Sequence, residues 1–107
     1  MAFKGDTVKL QDAVSMTATR QSSAADVGQY THWSMTFVWT DSPVGICTIE
    51  TSPNLIDWMT INGTSQATGG TSGSLTVNYQ GAGHRYLRAV YTYTSGSGSL
   101  TAYLTAK

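Results

Sequence analysis

Charge is the scarcest property of this chain: 11% of its 107 residues are charged, against about 25% in ordinary soluble domains. Six basic and six acidic residues cancel to a formal net charge of zero, which removes the electrostatic basis for holding DNA, RNA or an anionic membrane surface. Cysteine is nearly absent too. The single Cys47 excludes an intrachain disulfide. Its place in the apolar run Val44-Gly45-Ile46-Cys47-Thr48-Ile49 reads as a small buried hydrophobe rather than a reactive or metal-binding thiol. No apolar run approaches the roughly 20 residues that cross a bilayer. The start Met1-Ala2-Phe3-Lys4-Gly5-Asp6 lacks the apolar core of a secretion signal, so synthesis and folding in the cytosol are expected. Asn62-Gly63-Thr64 matches a glycosylation sequon and, without such a signal, reads as a glycine turn.

Hydroxyls, glycine and alternating apolar residues fill the space. Trp33, Met35, Phe37 and Trp39 recur at a spacing of two, which is a strand with one buried face. The opposite set, Tyr30, His32, Ser34, Thr36, Val38 and Thr40, is mostly polar and faces solvent or a partner. Around this strand the chain reads as further short strands. Residues 7–10 and 14–20 are two of them, separated by Gln11-Asp12, and residues 21–28 leave room for one helical turn ended by Gly28. Asp41-Ser42-Pro43-Val44-Gly45 is a turn that implies a hairpin with residues 46–51, Glu50 facing water. After Ser52-Pro53-Asn54, residues 58–61 form a strand with Trp58 at the core edge and Asp57 and Thr60 outward. Residues 62–74 are small and polar and read as a flexible loop, either ordering on contact or a solvated connector. Residues 75–80 are a strand and Gly81-Ala82-Gly83 a turn. Residues 86–94 and 100–106 read as a second long hairpin around residues 95–99. In it Leu87, Ala89, Tyr91, Leu100, Ala102 and Leu104 point inward, and Tyr86, Arg88, Val90, Thr92, Tyr103 and Thr105 outward.

About seven to eight strands with glycine-rich turns and no helix predict an all-β fold, a single antiparallel β-sandwich domain over residues 1–107, with the weakest pattern in residues 1–28. Jelly-roll and immunoglobulin-like windings both remain open. The chain is long enough to bury about 60–70% of its unfolded surface without staples.

Catalytic chemistry finds no constellation. His32 and His84 are the only imidazoles, the first on the outward face of a strand and the second in a turn, and neither neighbours Cys47. Asp6, Asp12, Asp26, Asp41, Glu50 and Asp57 are scattered among turns instead of paired across a cleft. Asp41 and Asp57 come nearest to a hard-cation site, and zinc has no ligand set. The expectation is no enzyme, no cofactor and no metal. Exposed Tyr and Arg are the residue types of contact surfaces, so Tyr30, His32, Tyr86, Arg88 and Tyr103 stand as the candidate interface.

Taken together, Asp26-Val27-Gly28, Trp39-Thr40-Asp41-Ser42-Pro43-Val44-Gly45, Thr51-Ser52-Pro53-Asn54 with Trp58, and the run from Arg85 through Tyr91-Thr92-Tyr93-Thr94-Ser95-Gly96 to Ala102 resemble small β-sandwich virion structural proteins of tailed bacteriophages. Where that family has an Asp-Gly turn before the Trp-bearing strand, this chain has Pro53-Asn54-Leu55-Ile56. The resemblance implies a structural protein of the virion, made in the host cytoplasm, either a capsid decoration or cement component or tail-associated. Its expected partners are the major capsid or tail protein and copies of itself, with no nucleic acid and no membrane. The alternative is a module of a tail or fibre that binds a host glycan, with Tyr30, Tyr86 and Tyr103 as stacking platforms.

Overall fold

A computed structural model describes residues 7–61, 63–80 and 84–106. Ten strands follow in order: β1 (Thr7–Ser15), β2 (Arg20–Gln21), β3 (Ala25–Asp26), β4 (His32–Trp39), β5 (Val44–Ser52), β6 (Met59–Thr60), β7 (Gln66–Ala67), β8 (Gly73–Gln80), β9 (Tyr86–Ser95) and β10 (Ser99–Ala106). They form two antiparallel sheets, one in the order β1-β10-β4-β8, the other built on β9 and β5. The short β2 and β3 follow one another along β9, and β6 and β7 along β5. Ten strands therefore fill eight positions. In chain order, positions one, eight, three and six make one sheet and two, seven, four and five the other, which is the winding of a jelly roll. The all-β sandwich is as expected, and the choice between the two windings is resolved.

The alternation in β4 does what its pattern requires. Trp33, Met35, Phe37 and Trp39 are buried and meet Cys47, Ile49, Leu87, Ala89 and Tyr91 from the opposite sheet. Leu100, Ala102 and Leu104 of β10 complete their layer, all six inward positions of β9 and β10 being fully buried as read from the sequence. Each large apolar side chain so placed contributes about 1.5–3 kcal/mol. Cys47 lies within this layer, and burial pushes its thiol up to about 12, so it packs as an un-ionised hydrophobe.

Both expected hairpins are absent, for one physical reason. β4 pairs with β10 and β8, while β5 pairs with β9, so residues 40–43 cross between sheets instead of closing a hairpin. β9 and β10 likewise lie in different sheets, joined by residues 96–98. Two one-sided strands can pair edge to edge or face each other across a core, and their alternation is the same in either arrangement. The two crossovers brace one another: Thr40 N donates to Ser99 O at 3.1 Å and Ser42 N to Ser97 O at 3.0 Å. This contact requires glycine at 96, where φ is +80° and a Cβ would overlap the Ser42 carbonyl.

Other expectations are corrected locally. Residues 7–10 and 14–20 are not two strands; β1 runs on to Ser15 through two register irregularities around Gln11, with Ala13 at φ +49° absorbing the extra residues. Residues 21–28 hold no helical turn but the β3 ladder to β9. Val90 points outward yet is buried, flanked by Gln21 of β2 and Thr48 of β5. The segment read as a flexible loop contains β7 and two buried threonines. Thr68 Oγ1 donates to Pro43 O at 2.7 Å and accepts from Gly45 N at 3.0 Å, and Thr64 Oγ1 donates to Ile61 O at 2.6 Å. Polar side chains thus do in this segment what apolar ones do elsewhere. The residues 1–6, Asn62 of the sequon and the Gly81-Ala82-Gly83 turn lie outside the described residues.

Phe37→Ala is expected to lower unfolding free energy by about 3–5 kcal/mol in urea titration. Its outward neighbour Val38→Thr should change it by no more than about 0.5 kcal/mol, and comparable losses at both positions would contradict this placement.

Candidate functional site

The long strands run from pole to pole of the sandwich, so the turns collect at two ends, and one end brings together Trp33, Trp58, Tyr79, His84 and Tyr86. It is the pole where β4 begins at His32, β5 ends at Ser52, β8 ends at Gln80 and β9 begins at Tyr86. Trp33 and Tyr79 are in-register neighbours and stack at 5.3 Å. His84 packs on Tyr79 at 4.6 Å, and its Nδ1 accepts a long hydrogen bond, 3.4 Å, from Trp33 Nε1. Indole can only donate, so this nitrogen carries the lone pair. Burial holds the His84 pKa below the ordinary imidazole value.

On the outer face of the β9–β5 sheet, Arg88 and Glu50 are paired across the ladder. Arg88 reaches Glu50 Oε1 through both Nε at 2.8 Å and a terminal nitrogen at 2.6 Å, and its guanidinium lies 4.1 Å from the centre of the Trp58 ring. Glu50 therefore does not face open water, and Trp58 is a half-buried platform under Arg88 instead of a plug at the core edge. Arg85 lies 5.0 Å from the Tyr86 ring and bonds Asp26 at 3.2 and 3.4 Å. Asp26 is held below the usual carboxylate range by the Gly28 amide and then by Arg85.

Beside this corner the β5–β6 loop satisfies its own polar groups and shows apolar ones outward. Ser52 Oγ accepts from the amides of Asn54 and Leu55, at 3.2 and 2.9 Å. Asn54 Oδ1 accepts from the amides of Ile56 and Asp57, both at 2.9 Å, and Asn54 Nδ2 donates to Asp57 Oδ2 at 2.8 Å. Leu55 sits at φ +67°, the left-handed region a glycine would take without strain. Held this way, Leu55 is 49%, Ile56 79% and Met59 55% exposed. A small depression of about 290 Å³ separates Met59 and Pro53 from His84 and Arg85.

The five residues expected at an interface do not converge on one spot. Tyr86 and Arg88 are on the outer β9–β5 face. His32 and Tyr103 are on the outer face of the other sheet, Tyr103 opposite Thr36 and 5.9 Å from Lys9 Nζ. Tyr30 lies at the pole before β4, packed partly against the core. Near His32, a depression of about 490 Å³ is lined by His32, Ser34, Asn78, Gln80 and Thr105 with the Trp33 and Tyr79 positions between them. Asp41 and Asp57 flank opposite ends of the nine-residue β5, roughly 30 Å apart at strand rise, and so do not form one cation site. Cys47 is mid-strand in the core, away from the pole that carries His84. Among the described residues no three His, Cys, Asp or Glu side chains come together, and no helix is long and apolar enough to cross a membrane.

Leu55, Ile56 and Met59 were missed in the sequence because each reads singly as an ordinary loop or strand-edge residue. The Pro53-Asn54 turn was the available signal. Asn78 and Gln80 alternate with Val77 and Tyr79, so their outward direction was legible, but not their pairing with Ser34 and His32.

No protein-family model and no curated protein sequence matches the chain. Similarity to solved structures defines the fold class. The SPBc2 prophage-derived protein YomS superposes with TM-score 0.64 at 10% identity, covering 95% of this chain and 94% of that one. The PBSX exported protein XepA superposes with TM-score 0.69 at 16% identity over 95% of this chain, which spans only 37% of XepA. The C-terminal CBM6 of LamC from Zobellia galactanivorans superposes with TM-score 0.58 at 8% identity, covering 94% and 99%. At such identities the likeness is one of β-sandwich fold.

Arg88→Ala is expected to destabilise by about 1–2 kcal/mol through loss of the carboxylate and ring contacts together. A double-mutant cycle with Trp58→Leu should return a coupling near 0.5–1 kcal/mol, and additive losses would contradict the stacking. Because the folded state disfavours protonated His84, the unfolded chain takes up the proton first as pH falls. Stability is then fully present above about pH 6.5 and declines below it. An NMR titration should place the His84 midpoint under that value, and a midpoint at or above it would contradict the burial of the ring.

Proposed function

We propose that the chain is a non-enzymatic structural protein of a phage particle, a surface component of the capsid decoration or cement kind. On this reading it joins the major capsid or tail protein, and copies of itself, through the corner made by Leu55, Ile56, Met59, Trp58, Arg88 and Tyr86. The observation that carries the reading is the β5–β6 loop. A loop that ties down the amides of residues 54–57 through Ser52 and Asn54 while holding Leu55 and Ile56 in water exposes apolar area that a partner would cover. Around it stand a tryptophan, a methionine, a tyrosine and a paired arginine, the residue types enriched where proteins meet. Low charge supports docking by shape and hydrogen bonds, and zero net charge offers little resistance to packing copies side by side. Likeness to the SPBc2 prophage-derived protein YomS over nearly the whole of both chains supports a phage origin.

A second reading, a carbohydrate-binding module, is favoured by a different feature, the uncharged depression on the opposite sheet, and by the likeness to a carbohydrate-binding domain.

Co-sedimentation with particles lacking this protein tests the assembly surface. Saturable binding is expected for the natural chain, and its loss for Ile56→Asp, with a melting temperature nearly unchanged because the side chain is already in water. Undiminished binding by Ile56→Asp, or a chain indifferent to particles, would overturn the assignment.

A further inference from the structure

The outer face of β10, β4 and β8 is built from neutral side chains. Its outward positions are His32, Ser34, Thr36 and Val38 on β4, Ser74, Thr76, Asn78 and Gln80 on β8, and Thr101, Tyr103 and Thr105 on β10. None carries a formal charge other than what a histidine can acquire. The depression of about 490 Å³ lies at the His32 end of this face, within the range of small-ligand sites, about 300–1,000 Å³.

Its walls are set by register. Gln80 stands opposite His32 and Asn78 opposite Ser34 across β8 and β4, with Thr105 opposite Ser34 on the β10 side. Trp33 and Tyr79 complete the lining, and their rings stack on one another. Two carboxamides side by side bring two acceptors and four donors. Neither amide, nor the Ser34 hydroxyl, is committed to another side chain among the described residues, whereas His32 Nδ1 is bonded to Thr31 Oγ1 at 2.9 Å and Thr105 Oγ1 to Thr7 Oγ1 at 2.8 Å. The cup thus presents free donors and acceptors in alternation on a rigid sheet, with no charge to attract an ion. Tyr103 lies two positions along β10 from Thr105, about 7 Å at strand rise, where its ring borders the same face.

Resting on the second, carbohydrate-binding reading, we propose that this cup is a binding site for a neutral saccharide, one sugar unit hydrogen-bonded to Asn78, Gln80, Ser34 and His32 and the next reaching the Tyr103 ring. A polyol is the ligand class that matches clustered neutral donors and acceptors: each hydroxyl both gives and takes a hydrogen bond, and no counter-charge is needed. A phosphate, a carboxylate or an acidic glycan finds no lysine or arginine in the lining of the cup; the nearest described one on this face is Lys9, beside the Tyr103 ring at 5.9 Å. The site lies on the sheet opposite the Leu55–Ile56 corner and is independent of the particle contact.

The full chain is titrated with maltotriose, cellotriose and chitotriose at millimolar concentrations, following the Asn78 and Gln80 side-chain amide resonances by NMR. At least one trisaccharide is expected to shift both amides saturably. The double variant Asn78→Ala, Gln80→Ala should weaken that binding about tenfold or more, since both side-chain amides that bond the sugar are lost. Tyr103→Ala should weaken it for the trisaccharide more than for the corresponding monosaccharide. Absence of a shift with all three sugars, shifts produced only by a sialylated or sulfated glycan, or undiminished binding by the double variant would overturn the proposal. The double variant should still co-sediment with particles, and Ile56→Asp should still bind the sugar, so failure of one surface is told apart from failure of the other.

Discussion

Burial of the β4 stripe against the opposite sheet is the constraint on which the rest depends. Trp33, Met35, Phe37 and Trp39 need an apolar layer facing them along the whole strand, and β5 with β9 supplies it through Cys47, Ile49, Leu87, Ala89 and Tyr91. β10 and β8 then pair with β4 along its full length and extend the same layer through Leu100, Ala102, Leu104, Leu75 and Val77. Because the chain crosses between sheets after β1, β3, β4, β7, β8 and β9, the turns fall at two poles. One pole thereby collects residues distant in sequence: Trp33, Tyr79, His84, and the Leu55–Met59 loop.

The same burial decides what the outer faces can do. Alternation sends half of each strand outward, and on β4, β8 and β10 that half carries no aspartate, glutamate, lysine or arginine. On one sheet the outward set is hydroxyl and carboxamide; on the other it is dominated by the Arg88–Glu50–Trp58 brace and the apolar loop beside it. The two faces differ in chemistry, hydrogen bonding with neutral groups on one and apolar contact framed by aromatics and arginine on the other. On the proposed reading both would serve at once, one toward neighbouring proteins and one toward what surrounds the particle.

Much of the core was legible because it depends only on a spacing of two. The stripe of β4 and the inward sets of β9 and β10 follow from that period, and Glu50 went wrong only because its partner Arg88 sits 38 residues away. Pairing was not legible. Residues 40–43 and 96–98 carry ordinary turn chemistry, and nothing in them distinguishes a hairpin from a crossing between sheets; the difference lies in which strand lies beside β4, a long-range choice. The segment after Ile61 misled for a related reason, since Thr64 and Thr68 are buried through hydrogen bonds to Ile61, Pro43 and Gly45 and have no apolar signature. At the candidate site, Tyr86 and Arg88 were found as exposed contact types. The loop apex at Leu55 and Ile56 was not, because its exposure results from the Ser52 and Asn54 hydrogen bonds that fold the turn back on itself.

The most direct measurement for the proposed assembly role is a density map of phage particles assembled with this chain. The assembly surface predicts the sandwich on the particle exterior, with Leu55, Ile56 and the Arg88–Trp58 brace buried against a neighbouring protein and the β10-β4-β8 face turned to solvent. A map in which the β5–β6 loop projects into open solvent while another surface makes the contact would contradict it.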